Sequence, residues 1–257
     1  MNAAFTNWRV PGYLGSAAYR IRPISPAIFD SMMNMRLKLR TRQGVALTAR
    51  LRDVNGPAEV FGGAEYTHDW IDWTRIEYVI DLGAHVGSFA IWAATHARCR
   101  VASFEPNPDV RRLLQLNVDR LGLASRVAVH PEAVASQRGT RRFLPAQDSA
   151  ASGLSDSGAL EVETIPLSEA ISLSGFPRVD LVKVDIEGAE FEVFRAPEPS
   201  ALASVAFWIV ECHLGNGLDA GPIAALFERE GFEVARMPKT PLLELLVARR
   251  AQADLAG

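Results

Sequence analysis

Acidic residues stand at several places where an apolar run of this chain stops, and carboxylates so placed are ready acceptors for cations and hydroxyls. The first is Val79-Ile80-Asp81-Leu82-Gly83-Ala84-His85-Val86-Gly87-Ser88-Phe89, an apolar strand leading through a glycine turn into a helix. Gly83 and Gly87 lack a Cβ, so backbone at this turn can approach a ligand closely. The dinucleotide fingerprint puts more than one glycine into the tight turn, whereas here a single glycine falls there and Asp81 stands just before it,. Asp81 is thus expected to pair with a cationic amino or sulfonium group, which favours S-adenosylmethionine over a pyrophosphate cofactor. Glu105 closes the next apolar run, about twenty residues after the turn, the interval at which an acid meets ribose hydroxyls.

Further acids follow Val179-Asp180-Leu181-Val182-Lys183-Val184, in the run Asp185-Ile186-Glu187-Gly188-Ala189-Glu190. In an open α/β sheet, ligands bind outside the carboxyl ends of the strands, so Asp185 and Glu187 are expected to line the pocket. Glu190 reads as a surface residue making an ordinary ion pair. Phe207-Trp208-Ile209-Val210-Glu211-Cys212-His213 ends with Glu211 and His213 on one face of an extended segment,. His213 is the expected general base, because an imidazole with a pKa near ~6.5 suits proton removal from a hydroxyl. Asp185, Glu211 and His213 also form a candidate ligand set for Mg²⁺ or another divalent cation that would acidify that hydroxyl. His68, His96 and His130 read as surface or packing residues, and His85 as a loop residue whose backbone matters more than its ring.

Positioning these groups takes strands alternating with helices, the mark of a parallel sheet covered on both faces. Strands are predicted at 78–82, 100–105, 126–130, 179–185 and 205–211. A helix from Pro108 carries Val110, Leu113, Leu114, Asn117, Val118 and Leu121 on one face and stops at Gly122,. A helix over 223–230 leads to extended segments at 232–237 and 242–248, an antiparallel hairpin at one sheet edge. The fold class is α/β, Rossmann-like, with a mostly parallel seven-stranded sheet. Residues 139–144 and 160–165 read as extended and flank a Ser/Gly-rich run, 149–158, expected to be a mobile active-site loop. Residues 1–53 read as an N-terminal extension serving as a lid or packing arm, with a short helix over 28–35 and a hairpin over 36–52 turning at Gln43-Gly44. Residues 54–250 read as the ligand-binding domain and 251–257 as a frayed tail.

Composition narrows the partners. With 257 residues, 48% hydrophobic and 22% charged, the chain can bury one full α/β core,. A formal charge of −3 offers no general attraction to nucleic acid or anionic lipid,. Two cysteines, Cys99 and Cys212, are too few for a disulfide framework or a zinc site, and fit a reducing cytoplasm,. No stretch reaches the ~20 apolar residues of a membrane span.

The segments VIDLGAHVGSFA, SFEPNPDVRRLLQLNV, VDLVKVDIEGAEFEVF and WIVECH, in this order, resemble the FkbM-type methyltransferases, the likeness running from about Val54 to the end. That resemblance implies a class I methyltransferase fold, S-adenosylmethionine as donor, and O-methylation of a sugar, polyketide or other small-molecule hydroxyl. Carried over by position, Asp81, Gly83 and Gly87 would contact the methionine half, Glu105 the ribose, and Glu132 and Ala133 the adenine. Tyr66, Ala84, His85, Ser88, Pro106, Asn107 and Asp185 would complete the donor set, and Asp185 and His213 would face the acceptor. His85 stands where the family commonly has Asn, and Ser168 where it tends to have Asp, which points to a different substrate contact. Residues 1–53, outside the resemblance, are expected to supply substrate specificity or a homodimer contact. An NAD-dependent oxidoreductase and a non-catalytic S-adenosylmethionine-binding protein are the alternatives.

Overall fold

Runs of β-branched and aliphatic residues too short for helices build the centre of the molecule, and amphipathic helices cover it. In the computed structural model, which describes residues 25–62, 66–145, 153–195, 199–215 and 217–250, the chain opens with α1 (Pro26–Met33) and the strands β1 (Arg36–Arg40) and β2 (Ala46–Arg50). Then come α2 (Asn55–Gly62), β3 (Tyr78–Leu82), α3 (Ser88–His96), β4 (Arg100–Phe104), α4 (Pro108–Arg120) and β5 (Val127–His130). The strands β6 (Ala133–Val134), β7 (Gly139–Leu144), β8 (Gly153–Leu154) and β9 (Leu160–Ile165) follow. The remainder is α5 (Leu167–Leu173), β10 (Val179–Val184), α6 (Glu190–Val193), α7 (Pro199–Ala203), β11 (Val205–His213), α8 (Gly221–Arg229), β12 (Phe232–Thr240) and β13 (Leu243–Arg250).

Seven strands form the main sheet in the order β12-β13-β11-β10-β3-β4-β5. The five from β11 to β5 run parallel, and β13 and β12 pair antiparallel at the edge, as expected. Strand order reverses between β3 and β10, which opens a crevice at their carboxyl ends. Alternate residues feed opposite faces: Ile80, Leu82, Val182 and Val184 join the core under α5, α7 and α8, while Val79 and Leu181 join that under α3 and α4.

The hairpin β1–β2 forms within the expected span and is clasped to the domain by Asn117. Its Oδ1 accepts from Thr48 N (2.7 Å), and its Nδ2 donates to Thr48 O (2.9 Å) and Val86 O (3.0 Å). The predicted apolar face of α4 therefore holds one polar group, which ties hairpin, helix and glycine turn together. A second sheet of order β6-β9-β7-β8 was not anticipated. Part of the run read as a mobile loop is its strand β8, which pairs with Phe143 and Leu144. The strand cost the loop reading its basis there, because Gly153 and Leu154 satisfy their backbone in a ladder. Residues 146–152, the lid or arm before Ser25 and the tail from Ala251 lie outside the described residues.

Candidate functional site

A cavity of about 410 Å³ opens at the carboxyl ends of β3, β4, β10 and β11, within the ~300–1,000 Å³ typical of small-molecule sites. Tyr66, Gly83, Ala84, His85, Ser88, Glu105, Pro106, Asn107, Glu132, Ala133, Asp185, Glu211 and His213 all line it, together with Glu187. The sequence reading assembled these from six separate segments, and the fold brings them to one place.

The glycine turn is built for packing as much as for approach. Gly83 has φ +76°, and a Cβ on it would fall on the Asp185 carbonyl oxygen at the end of the neighbouring strand. Gly87 has φ +91°, and its Cβ would meet the Leu114 Cδ1 of α4. Gly87 is not part of the cavity wall: its requirement comes from seating α3 against α4, which corrects its expected contact with a ligand.

Glu105, beyond the end of β4, accepts from His85 N (2.9 Å, Oε2) and Asn107 N (2.8 Å, Oε1). It thereby ties together two turns that line the cavity. Burial pushes its carboxyl above the usual range, against the opposing pull of His85. His85 itself sits at φ +53°, so its backbone does the expected work. Its ring adds something not foreseen, lying 3.4 Å (Nε2) from Asp53 Oδ1. Asp53 is buried and also gripped by Arg50 at 2.6 Å and 3.0 Å. Burial alone would raise Asp53, but the neighbouring His85 ring and the Arg50 guanidinium outweigh it and hold the carboxyl well below its ordinary value. Sequence reasoning missed Asp53 because the residue that completes its environment lies 32 positions away, across the fold.

Asp81 does not reach the cavity. It is fully buried, and Lys183 Nζ stands 3.2 Å from its Oδ1, 3.2 Å from Asp185 Oδ2 and 3.0 Å from Gly83 O. In place of the expected direct pairing of Asp81 with a ligand cation, the structure pairs it internally with Lys183. Burial pushes the Asp81 carboxyl up, with Lys183 opposing; burial also works against the Lys183 charge, which Asp185, Asp81 and Glu211 hold in place.

Around His213 the acids converge. Its Nδ1 lies 3.0 Å from Glu190 Oε1; its Nε2 lies 3.1 Å from Glu187 Oε2 and 3.9 Å from Asp185 Oδ1. Glu190 is no surface residue: it is 0% exposed and accepts from Ile186 N (3.0 Å) and Gly188 N (2.8 Å). Those bonds brace a turn in which Glu187 adopts φ +54°, aiming its carboxylate at the ring. Such a backbone persists only where its surroundings enforce it. Burial pulls the His213 pKa down, but Glu190, then Glu187 and Asp185, outweigh it and hold the imidazole up at about 10. Burial and the Asp185 charge push Glu187 up to about 9. The acids around the ring thus favour a protonated His213 over the expected free base near neutrality.

A pH dependence of stability follows. Both groups keep protons that the unfolded chain would release, so their contribution is fully present at low pH. For His213 it is lost as pH rises from about 6.5 to about 10,. Thermal melting should therefore show stability declining over that window, and less steeply in His213→Gln; a flat wild-type profile would contradict the arrangement.

Asp185, Glu211 and His213 do bring ligand atoms within 4.8 Å of one another. Yet both ring nitrogens of His213 already face carboxylates, and a cation could enter only by displacing one of them. The set does not fit a resident metal, and no step is derived through one. Ser168, expected at a substrate contact, lies on α5 away from the cavity wall.

Residues 81–234 match the family described as Methyltransferase FkbM domain. The chain belongs to that family. A match of this extent, over the same strands that build the cavity, makes it a methyltransferase and removes the oxidoreductase alternative. Among FkbM relatives, the hexuronic acid methyltransferase AglP of Haloferax volcanii is 34% identical over 180 residues, covering 68% of this chain and 70% of that protein. The 31-O-demethyl-FK506 methyltransferase FkbM of Streptomyces tacrolimicus is 25% identical over 209 residues, covering 68% and 80%. The AMB antimetabolite synthetase AmbE of Pseudomonas aeruginosa is 28% identical over 221 residues; these cover 69% of this chain but 10% of AmbE. Among the described residues of this FkbM-family chain, no helix is long and apolar enough to cross a membrane.

Proposed function

We propose that the protein is an S-adenosylmethionine-dependent O-methyltransferase acting on a small-molecule hydroxyl. The observation that carries this reading is Glu105, whose two oxygens fix the glycine turn and the Pro106-Asn107 turn while facing a cavity of nucleoside size. The cavity wall also has polar capacity left over: Ser88 Oγ and Glu132 Oε2 are buried without a hydrogen-bond partner. That donor and acceptor set, at the start of α3 and in the turns after β4 and β5, fits the amino-acid, ribose and adenine parts of the donor. Two FkbM relatives are named for methyl transfer to a hexuronic acid and to a demethylated FK506, which supports a small-molecule acceptor.

When bound, S-adenosylmethionine supplies a methyl carbon made electrophilic by its sulfonium. The chain's own task is alignment and charge. Glu105 orients the ribose end, and the carbonyl of Gly83, held by Lys183, shapes the methionine end. Asp185, at the cavity edge of β10, would take up the proton that the acceptor hydroxyl gives up on methylation. His213 keeps the facing carboxylates from repelling the electron-rich oxygen, and its positive charge favours loss of the proton.

The reading is tested by titration calorimetry with S-adenosylmethionine, its demethylated product and NAD. The first two should bind and NAD should not. Glu105→Ala should weaken the donor by about 10-fold or more, the scale of a hydrogen bond to a charged group. Undiminished affinity in that variant, or preferential NAD binding, would overturn the assignment.

A further inference from the structure

Two leucines from different sheets flank the acids around His213. Strand β8 lies against Glu187, close enough that a Cβ on Gly153 would stand 3.0 Å from the Glu187 carbonyl oxygen. Its next residue, Leu154, lines the cavity. The turn of the β12–β13 hairpin is the second element beside these acids. Leu243 is the register partner of His213, and the Leu242 carbonyl accepts from Leu214 N at 2.8 Å. Thr240 Oγ1 accepts from Leu242 N at 3.1 Å, so the tip is fixed at its own turn as well.

Leu242 lines the cavity and is 67% exposed, more than any other large apolar residue among those described. An apolar side chain held open beside a polar centre gains nothing for the fold and offers its surface to whatever enters. The charges point the same way. Among the described residues, the cationic side chains of the wall already face acids: Lys183 faces Asp81 and Asp185, Arg52 faces Asp30 at 2.6 Å, and His213 faces Glu190 and Glu187. A carboxylate on the acceptor would meet Asp185 and Glu211, and among the described residues no cation of the wall is without an acid beside it.

We infer that the acceptor presents its hydroxyl on an uncharged apolar body gripped between Leu154 and Leu242, and that acceptors bearing a carboxylate beside the hydroxyl are rejected. This rests on the proposed methyl transfer and names the substrate class of that same site. Leu242 is a specificity-determining residue whose contact lies on the body of the acceptor, away from the transferred methyl.

The experiment measures transfer of radiolabelled methyl from S-adenosylmethionine to a panel of neutral alicyclic and macrolide alcohols, with glucuronate as the charged comparison. Donor affinity is measured separately by calorimetry. The expected result is transfer to members of the neutral panel, with kcat/KM for glucuronate at least about 10-fold lower. Leu242→Ser should raise KM for the best neutral acceptor by about 10-fold, the scale of losing apolar contact in a specificity pocket, while leaving donor affinity and kcat close to wild type. Glucuronate used as well as the neutral alcohols, transfer to neither class by donor-loaded protein, or an unchanged KM in Leu242→Ser each overturns the inference. Absence of donor binding would instead overturn the methyltransferase reading beneath it, so the two failures are told apart by the calorimetry.

Discussion

Lys183→Met is expected to cost about 3–5 kcal/mol of folding stability, the usual consequence of removing one partner of a buried ion pair. Among the described residues, Lys183 is the sole cation between Asp81, which is wholly buried on β3, and Asp185 at the end of β10. With methionine in its place, Asp81 must either carry an uncompensated charge between two core strands or take up a proton, and both are costly. The Gly83 carbonyl would also lose its donor, loosening the turn that forms the cavity floor. Urea unfolding measures the loss directly. Combining the change with Asp81→Asn should restore a large part of the stability, because a neutral amide needs no counter-charge. A single variant that unfolds at the wild-type midpoint would show that Lys183 compensates nothing.

That pair marks the limit of what could be read in the residues beforehand. The strands, their parallel order and the antiparallel edge follow from periodicity, since β-branched runs bounded by turns and separated by amphipathic helices have few ways to bury their faces. The strand-end groups Glu105, Asp185, Glu187, Glu211 and His213 were legible for the same reason, since a strand's carboxyl end in such a sheet is on the rim; Tyr66, Glu132 and Ala133 came from the family resemblance. What periodicity does not encode is the partner of each acid. Asp81 lies inside β3, in register with Ser103, whereas Glu105 lies beyond the end of β4. Glu105 therefore stays on the rim, and Asp81 turns inward to Lys183, 102 positions away in the chain. Glu190 looked like a surface acid because it begins a short helix rich in charge, yet it is the buried brace of His213. Asp53 looked like the end of an extension and proves to be a buried acid that Arg50 grips beside the His85 ring. Each of these rests on a contact between segments distant in the chain. The second sheet escaped notice because its strands β6 and β8 are two residues long, below the length at which alternation can be seen.

His213→Ala is expected to lower kcat by about 10²–10³, the range found when one preorganised electrostatic contact to a reacting oxygen is removed, while donor affinity stays near wild type. Loss of turnover alone would suit a base as well as a cation, so the pH profile decides between them. With its pKa held at about 10 by the surrounding carboxylates, His213 as a cation predicts activity that falls as pH rises through that value. A histidine acting as a free base would instead give activity that grows as pH rises and the ring loses its proton. Glu190→Gln sharpens the test. The amide oxygen can still accept from Nδ1 and from Ile186 N, while the bond from Gly188 N is lost and the largest charge that keeps the proton on the ring is removed. The alkaline limb should therefore move to lower pH in this variant with the neutral-pH kcat largely kept, whereas a Glu190 that merely supported the fold would lower stability and leave the limb in place. An unshifted limb, or a wild-type rate that climbs steadily from neutral to alkaline pH, would return the imidazole to the role of base and remove the charge argument for the acids around it.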